Sequence, residues 1–148
     1  MTSETAGSGV STAGIERVVR RLYDEVWTGH DYAVAGELFD PEFAYDHAPG
    51  LKGAEAKLQA VRNYHQTFPG LQVTIEDLVI SAADAAVRFT ITGTDLGGFR
   101  GRPPTGRKMS SWGVDFYGFR EQRITSNWVG VDWLGLLIQL GVVSDPWN

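Results

Sequence analysis

The stretch "GVDFYGFREQRITSNWVGVD", Gly113 to Asp132, reads as two β-strands joined by a polar turn at Glu121-Gln122. It is rich in Trp, Phe, Tyr and Val, yet Asp115, Asn127 and Asp132 interrupt the apolar texture. A buried carboxylate or amide is costly unless it finds hydrogen-bond partners, so these three positions mark where the hairpin does something besides fill a core. A two-residue turn pairs Asp115 with Trp128, and a three-residue loop pairs it with Asn127. A one-residue difference in register decides which side chains share a face, and both registers are open at this point.

Working outward, "LQVTIEDLVI" (71–80), "AAVRFTITGT" (85–94) and "KMSSWGVDFYGF" (108–119) precede "RITSNWVGVD" (123–132) as β-like runs. Short turns or the loop "DLGGFRGRPPTGR" separate them. Before them come helical patterns. Ser11 or Thr12 caps a helix whose apolar stripe is Ile15, Val18, Val19, Leu22, Tyr23 and Val26. "TGHD" ends it, "DYAVAGELF" is a shorter helix, and "AEAKLQAVRNYHQTF" is a second long one closed by Pro69 and Gly70. "EFAYDH" alternates and reads as a strand with Phe43, Tyr45 and His47 on one face. "WLGLLIQLGVV" is a short terminal helix. Helices followed by a meander of strands mean α+β, with an antiparallel sheet packed on one face by helices. Strands of about ten residues span roughly 30 Å each, so the sheet is expected to curve strongly into a cone, closed by the N-terminal helices around a deep cavity. Residues 1–11 read as a disordered tail and 12–148 as a single domain.

The bulk numbers exclude several classes. A formal charge of −5 and a pI near 5.1 argue against nucleic acid or an anionic membrane as partner. The absence of cysteine removes disulfides, thiolate nucleophiles and Cys-based metal sites. No H-E-x-x-H or other close His/Asp cluster suggests a metal, and no Gly-x-Ser-x-Gly elbow suggests a serine nucleophile. The longest nearly apolar run, Trp133 to Val143, is too short to span a bilayer, and "MTSETAGSGVSTAG" lacks the features of a signal peptide. A cytoplasmic protein is the expectation.

The segments "VVRRLYDEVWTGHDY", "ELFDPEFAYDHAPGLKG", "TFPGLQVTIEDLVI", "VRFTITGTDLGGFRGRPPTGRK", "GVDFYGF" and "VGVDWLGLLIQLG" together cover nearly everything from Ile15 to Gly141. In order and spacing they resemble the SnoaL-like polyketide cyclase family of the nuclear-transport-factor-2-like superfamily. The resemblance implies an α+β cone, a homodimer or homotetramer, a deep apolar cavity and a small polyketide-like substrate. It also implies acid–base chemistry with no cofactor, in the founding members an intramolecular aldol condensation that closes a ring. Related cones are isomerases, dehydratases, epoxide-opening enzymes or plain binding scaffolds, and an accessory cone working beside an oxygenase or reductase is the alternative of another class. Two departures stand out: Asn127 occupies a position often held by His in an "HW" pair, and "GTD" at Gly93–Asp95 replaces a more usual "GTH". Proton transfer therefore falls to carboxylates or to His47.

Within that frame Asp115 is the principal candidate acid/base and Asn127 the group that orients a substrate carbonyl. His47 and Asp132 are the assisting candidates, although Asp132 equally suits the cap of the terminal helix. Tyr23 and Trp27, four residues apart on one helix, join Tyr45, Trp112, Phe116 and Trp128 as candidate substrate-binding walls for a flat ligand, against the plainer reading that they are core. His30 and His65 read as surface residues. Arg100, Arg102, Arg107 and Lys108 read first as a solvated loop, and second as a clamp for a carboxylate or a phosphopantetheine thioester.

Overall fold

A computed structural model describes residues 10–148. Most of the expected N-terminal tail lies outside the described residues, but Ser11 does not: its Oγ accepts from Gly14 N at 3.0 Å and caps α1, Thr12–Arg21. The helix continues as a π-turn over Leu22–Thr28, which buries Leu22, Tyr23, Val26 and Trp27. The expected apolar stripe is thus present, but its second half is wound more widely than an α-helix. A 3₁₀ turn at Tyr32–Val34 leads into α2, Ala35–Leu38, and then comes α3, Ala54–Thr67.

Four strands follow: β1 Gln72–Ser81, β2 Asp84–Thr94, β3 Lys108–Arg120 and β4 Arg123–Val131, with α4 at Trp133–Gln139. They form an open antiparallel sheet in the order β1-β2-β3-β4. The α+β expectation holds at this level. Among the described residues no helix is long and apolar enough to cross a membrane.

The segment "EFAYDH" is not a strand. Its backbone is used in turns: Phe43 N donates to Asp40 O, Ala48 N to Tyr45 O and Leu51 N to Ala48 O, leaving one isolated bridge between Ala44 and Lys52. Donors committed to turns cannot build a ladder. The shared face survives, since the Phe43, Tyr45 and His47 rings follow one another at centroid separations of 6.0 and 5.0 Å.

The β3–β4 register departs from both sequence alternatives. The turn has two residues, Glu121 and Gln122, both with positive φ (49° and 63°), as a type I′ hairpin requires. Arg120 pairs with Arg123 and Phe119 with Ile124, but the register then slips, so that Gly118 faces Ser126 and Asp115 faces Val129. Thr125 is the extra residue of a β-bulge. Along β3, Met109, Ser111, Gly113, Asp115, Tyr117 and Phe119 point inward and are buried. Period two then forces Trp112 and Phe116 outward. Trp128, opposite Phe116, goes with them. The three are 54%, 52% and 62% exposed, so they stand on the face away from the helices rather than in a pocket beneath them. Val79, Ala86, Phe116 and Trp128 are successive partners in register, making one row across all four strands of that outer face.

The inner face packs on α1, the π-turn and α3. Ile15, Val19, Leu22, Val61, Val87 and Ile124 are fully buried between these layers, each contributing about 1.5–3 kcal/mol. One inner position carries no side chain because there is no room. A Cβ on Gly113 would lie 2.4 Å from the ring of Phe89, its partner on β2, and 2.7 Å from Gly130 O on β4. The carbonyl is held in the sheet and cannot yield. Gly113→Ala is expected to destabilise the fold by about 1–3 kcal/mol through overpacking, read as a lower urea midpoint with an unchanged m-value.

Candidate active site

Between the inner face of the sheet and the helices lies a cavity of about 570 Å³. Its wall combines Tyr23 and Trp27 of the π-turn, Tyr45, Lys57 and Tyr64 of α3, and Asp115 of β3. Asp115, 4% exposed, is the acidic group in that wall.

The bulge brings Asp115 and Asn127 together. Asn127 lies opposite Tyr117, two residues along the same face from Asp115, and its Nδ2 donates to Asp115 Oδ1 at 2.9 Å. The other carboxylate oxygen, Oδ2, accepts a short hydrogen bond from the Tyr23 hydroxyl, which lies 3.0 Å from the Tyr117 hydroxyl. Asn127 Oδ1 in turn accepts from Lys57 Nζ at 2.7 Å. The result is one chain, Tyr117–Tyr23–Asp115–Asn127–Lys57, tying the π-turn, α3, β3 and β4 to a single carboxylate. Asn127 does not itself line the cavity. It stands behind Asp115 and Lys57 and couples them.

Burial controls the electrostatics. It pushes the Tyr23 and Tyr117 phenols well above the usual tyrosine range, and the neighbouring Asp115 adds to the effect. Tyr45 and Tyr64 are raised for the same two reasons. All four stay protonated at neutral pH and can donate. Among the described residues Tyr45 and Tyr64 have no protein partner for their hydroxyls, and both line the cavity. Lys57 is 2% exposed, and desolvation lowers its pKa while Asp115 opposes the shift. Its Nζ lies 4.6 Å from the Tyr45 ring centroid and 5.7 Å from that of Trp27.

The remaining candidates fall elsewhere. His47 lines the cavity at its exposed side, edge-on to Tyr45 and outside the hydrogen-bond chain. Asp132 is not in the wall: its Oδ1 accepts from Gly135 N at 2.9 Å and caps α4, the other of its two expected roles. Trp112, Phe116 and Trp128 are excluded from the wall by strand alternation. Of the basic loop residues, Arg100 reaches the cavity, with Gly97, Gly98 and Phe99 beside it. Asp95, 1% exposed, holds that loop by accepting from Gly98 N, Thr105 N and Thr105 Oγ1 at 2.8–3.0 Å. The "GTD" departure therefore has a structural use.

Sequence reasoning passed over Lys57, Tyr64 and Tyr117. Lys57 had a signal: it lies four residues before Val61 and eight before His65, in phase with the buried stripe of α3. His65, expected at the surface, is 7% exposed. Its Nε2 meets Trp27 O at 2.6 Å and its Nδ1 meets the Tyr32 hydroxyl at 2.7 Å, while its ring stacks on His30 at 3.6 Å.

A family model described as SnoaL-like polyketide cyclase matches residues 17–140. The chain belongs to the SnoaL-like polyketide cyclase family. Among solved structures, TsrD from Streptomyces laurentii superposes with a TM-score of 0.83 at 25% identity, covering 90% of this chain and 99% of that one. IdmH from Streptomyces antibioticus gives 0.74 at 25% identity, covering 86% and 98%. A SnoaL-like polyketide cyclase from Agrobacterium tumefaciens gives 0.73 at 21% identity over 86% and 98%, a likeness of fold. A search of curated protein sequences finds no match. In this SnoaL-like chain the buried titratable groups of the cavity wall are one carboxylate, one amine and a set of phenols, with His65 behind Trp27.

Burial and the neighbouring His30 lower the pKa of His65 below its ordinary 6.5. The folded state then takes up this proton less readily than the unfolded chain, so stability is full above about pH 6.5 and falls as pH drops through the folded pKa. The slope is at most about 1.4 kcal/mol per pH unit for one proton. Thermal unfolding at pH 7.5 and 5.5 is expected to show a larger loss in the wild type than in His65→Gln. Equal losses would mean that another group carries the dependence.

Proposed function

We propose that this protein is a cofactor-independent cyclase that closes a ring in a polyketide-type intermediate, by acid–base chemistry in the cavity beneath the sheet. The observation that carries this reading is the buried Asp115 carboxylate at the cavity wall, held on both oxygens by Tyr23 and Asn127 and surrounded by aromatic rings. Helices and sheet would together form the cone that encloses the substrate.

A carbon between two carbonyls is acidic enough for a positioned carboxylate to deprotonate. Asp115 takes that proton. The Tyr45 and Tyr64 hydroxyls, raised in pKa and without partners among the described residues, donate to the enolate oxygen. The carbanion attacks a second carbonyl of the same chain, the new C–C bond closes the ring, and the proton returns from Asp115 to the alkoxide. Holding both reacting carbons within one cavity supplies a large share of the rate, since effective molarities reach about 10⁵ M or more in well-oriented cases. Trp27 and Trp133 offer flat apolar faces for the substrate, and Arg100 a positive charge near the rim.

Asp115→Asn keeps the shape, with its Oδ1 accepting from Asn127 and its Nδ2 donating to the Tyr23 hydroxyl, but removes the base. With folding retained by circular dichroism, kcat on a synthetic poly-β-ketone is expected to fall by about 10²–10⁴. Mass spectrometry of the product identifies ring closure by an isomeric mass, or by loss of one water if dehydration follows. Unchanged turnover in Asp115→Asn would remove Asp115 as the acid/base.

The reading includes a homodimer or homotetramer, as the resemblance implies. The outer row of Val79, Phe116 and Trp128, with Trp112 beside it, offers the exposed apolar area that such a contact needs. Sedimentation is expected to show a species larger than the monomer that Trp128→Lys weakens; a monomer throughout would refute it.

A further inference from the structure

Lys57 is the buried amine of the cavity wall, and the acid–base scheme gives it no task. It lies on α3 among apolar residues, 2% exposed, with its Nζ in the cavity wall. Its hydrogen bond is to Asn127 Oδ1, an uncharged acceptor, and among the described residues it pairs with no carboxylate. A lysine serving only as packing would be replaced more favourably at this position by Leu or Met, because a buried amine without an ionic partner is costly. Among the described residues, further N–H positions on the same nitrogen have no protein acceptor. The aromatic faces of Tyr45 and Trp27 restrict the amine to the cavity side.

We propose that Lys57 is a nucleophile that captures a ketone of the substrate as an imine, with Asp115 as the proton-transfer group beside it. The proposal rests on the cavity being the catalytic site. The Nζ lone pair adds to the ketone carbon, and one N–H proton passes to the oxygen, giving a carbinolamine. Loss of that oxygen as water leaves a C=N bond, and a proton from solution makes it an iminium. The iminium acidifies the adjacent C–H far more than the ketone did. Asp115 removes that proton, the C–H electron pair becomes the C=C of an enamine, the enamine carbon bonds to a second carbonyl carbon, and Asp115 returns its proton to the alkoxide oxygen formed there. Water then adds to the regenerated iminium and releases the ketone product and the free amine. Water is the only co-reactant, consumed once and produced once. Desolvation of Lys57 supports the same assignment, since imine formation needs the unprotonated amine.

The chain has three lysines, so the others serve as internal controls: Lys52, paired with Glu42 at 2.9 Å, and Lys108 are both exposed. The probe is 1-phenylbutane-1,3-dione, whose imine with an amine rearranges to a stable conjugated enaminone that absorbs in the near ultraviolet and needs no reductant. At neutral pH, peptide mapping is expected to find the adduct on Lys57 over Lys52 and Lys108 by at least about tenfold. Lys57→Arg, which keeps the charge but cannot form an imine, should lose both adduct and turnover. Lys57→Met serves as the second variant if arginine does not fit. Labelling spread evenly over the lysines, or absent from Lys57, overturns the proposal, as does ring closure at full rate in either folded variant. Those last results leave the cyclase reading intact. Selective labelling of Lys57 in a protein that closes no ring would instead uphold the amine site and refute the cyclase.

Discussion

A carboxylate placed mid-strand on the buried face of a sheet has to be satisfied from several directions at once, and Asp115 imposes that requirement on the whole molecule. On β3 its immediate neighbours point the other way, and Tyr117, two residues on, meets the Tyr23 hydroxyl at 3.0 Å. One oxygen takes its hydrogen from Tyr23 on the π-turn and the other from Asn127 on β4, which is itself held by Lys57 from α3. Three separate elements must therefore arrive in one geometry. An unsatisfied buried carboxylate would cost several kcal/mol, comparable to much of the net stability of a domain this size. The widened turn at Leu22–Thr28 and the bulge at Thr125 are the local irregularities that let Tyr23 and Asn127 reach it.

Much of the architecture could be read from the chain because it rests on local rules. Apolar stripes at helical spacing, alternation in four successive runs, the Ser11 cap and the Glu121-Gln122 turn all follow from nearest-neighbour chemistry. Asp132 as a helix cap was legible in the same way. What could not be read were features decided between elements. No residue in "RITSNW" announces that Thr125 bulges, yet that one residue sets which of Asp115's neighbours it meets. The faces of Trp112, Phe116 and Trp128 depend on the inward turn of Asp115, so aromatic content alone pointed them to the wrong side. Helical phase puts Lys57 on the buried stripe of α3, but nothing nearby in sequence shows the Asn127 acceptor that makes an amine tolerable there. The burial of His65 depends on Tyr32 and on the Trp27 carbonyl, both distant in sequence. "EFAYDH" had the alternation of a strand without a neighbouring edge to pair with.

The amide at Asn127 changes the character of the site relative to an imidazole there. An amide donates on one side and accepts on the other at the same time, whatever the pH. Here the donor side is turned to the carboxylate and the acceptor side to the amine. It fixes both neighbours while passing no proton between them, so the carboxylate and the amine stay distinct groups separated by a neutral spacer. The phenols of Tyr23 and Tyr117 do the same on the opposite side, since burial keeps them protonated.

The separation of the tryptophans by sheet face has a practical consequence. Trp27 and Trp133 border the cavity, whereas Trp112 and Trp128 stand on the outer surface. Their emission thus samples two different environments within one small protein. A molecule entering the cavity quenches one pair by contact, and any body covering the outer row shifts the spectrum of the other. With the exposed Trp147 and one pair or the other replaced by phenylalanine, intrinsic fluorescence becomes two independent optical channels, one for occupancy and one for assembly.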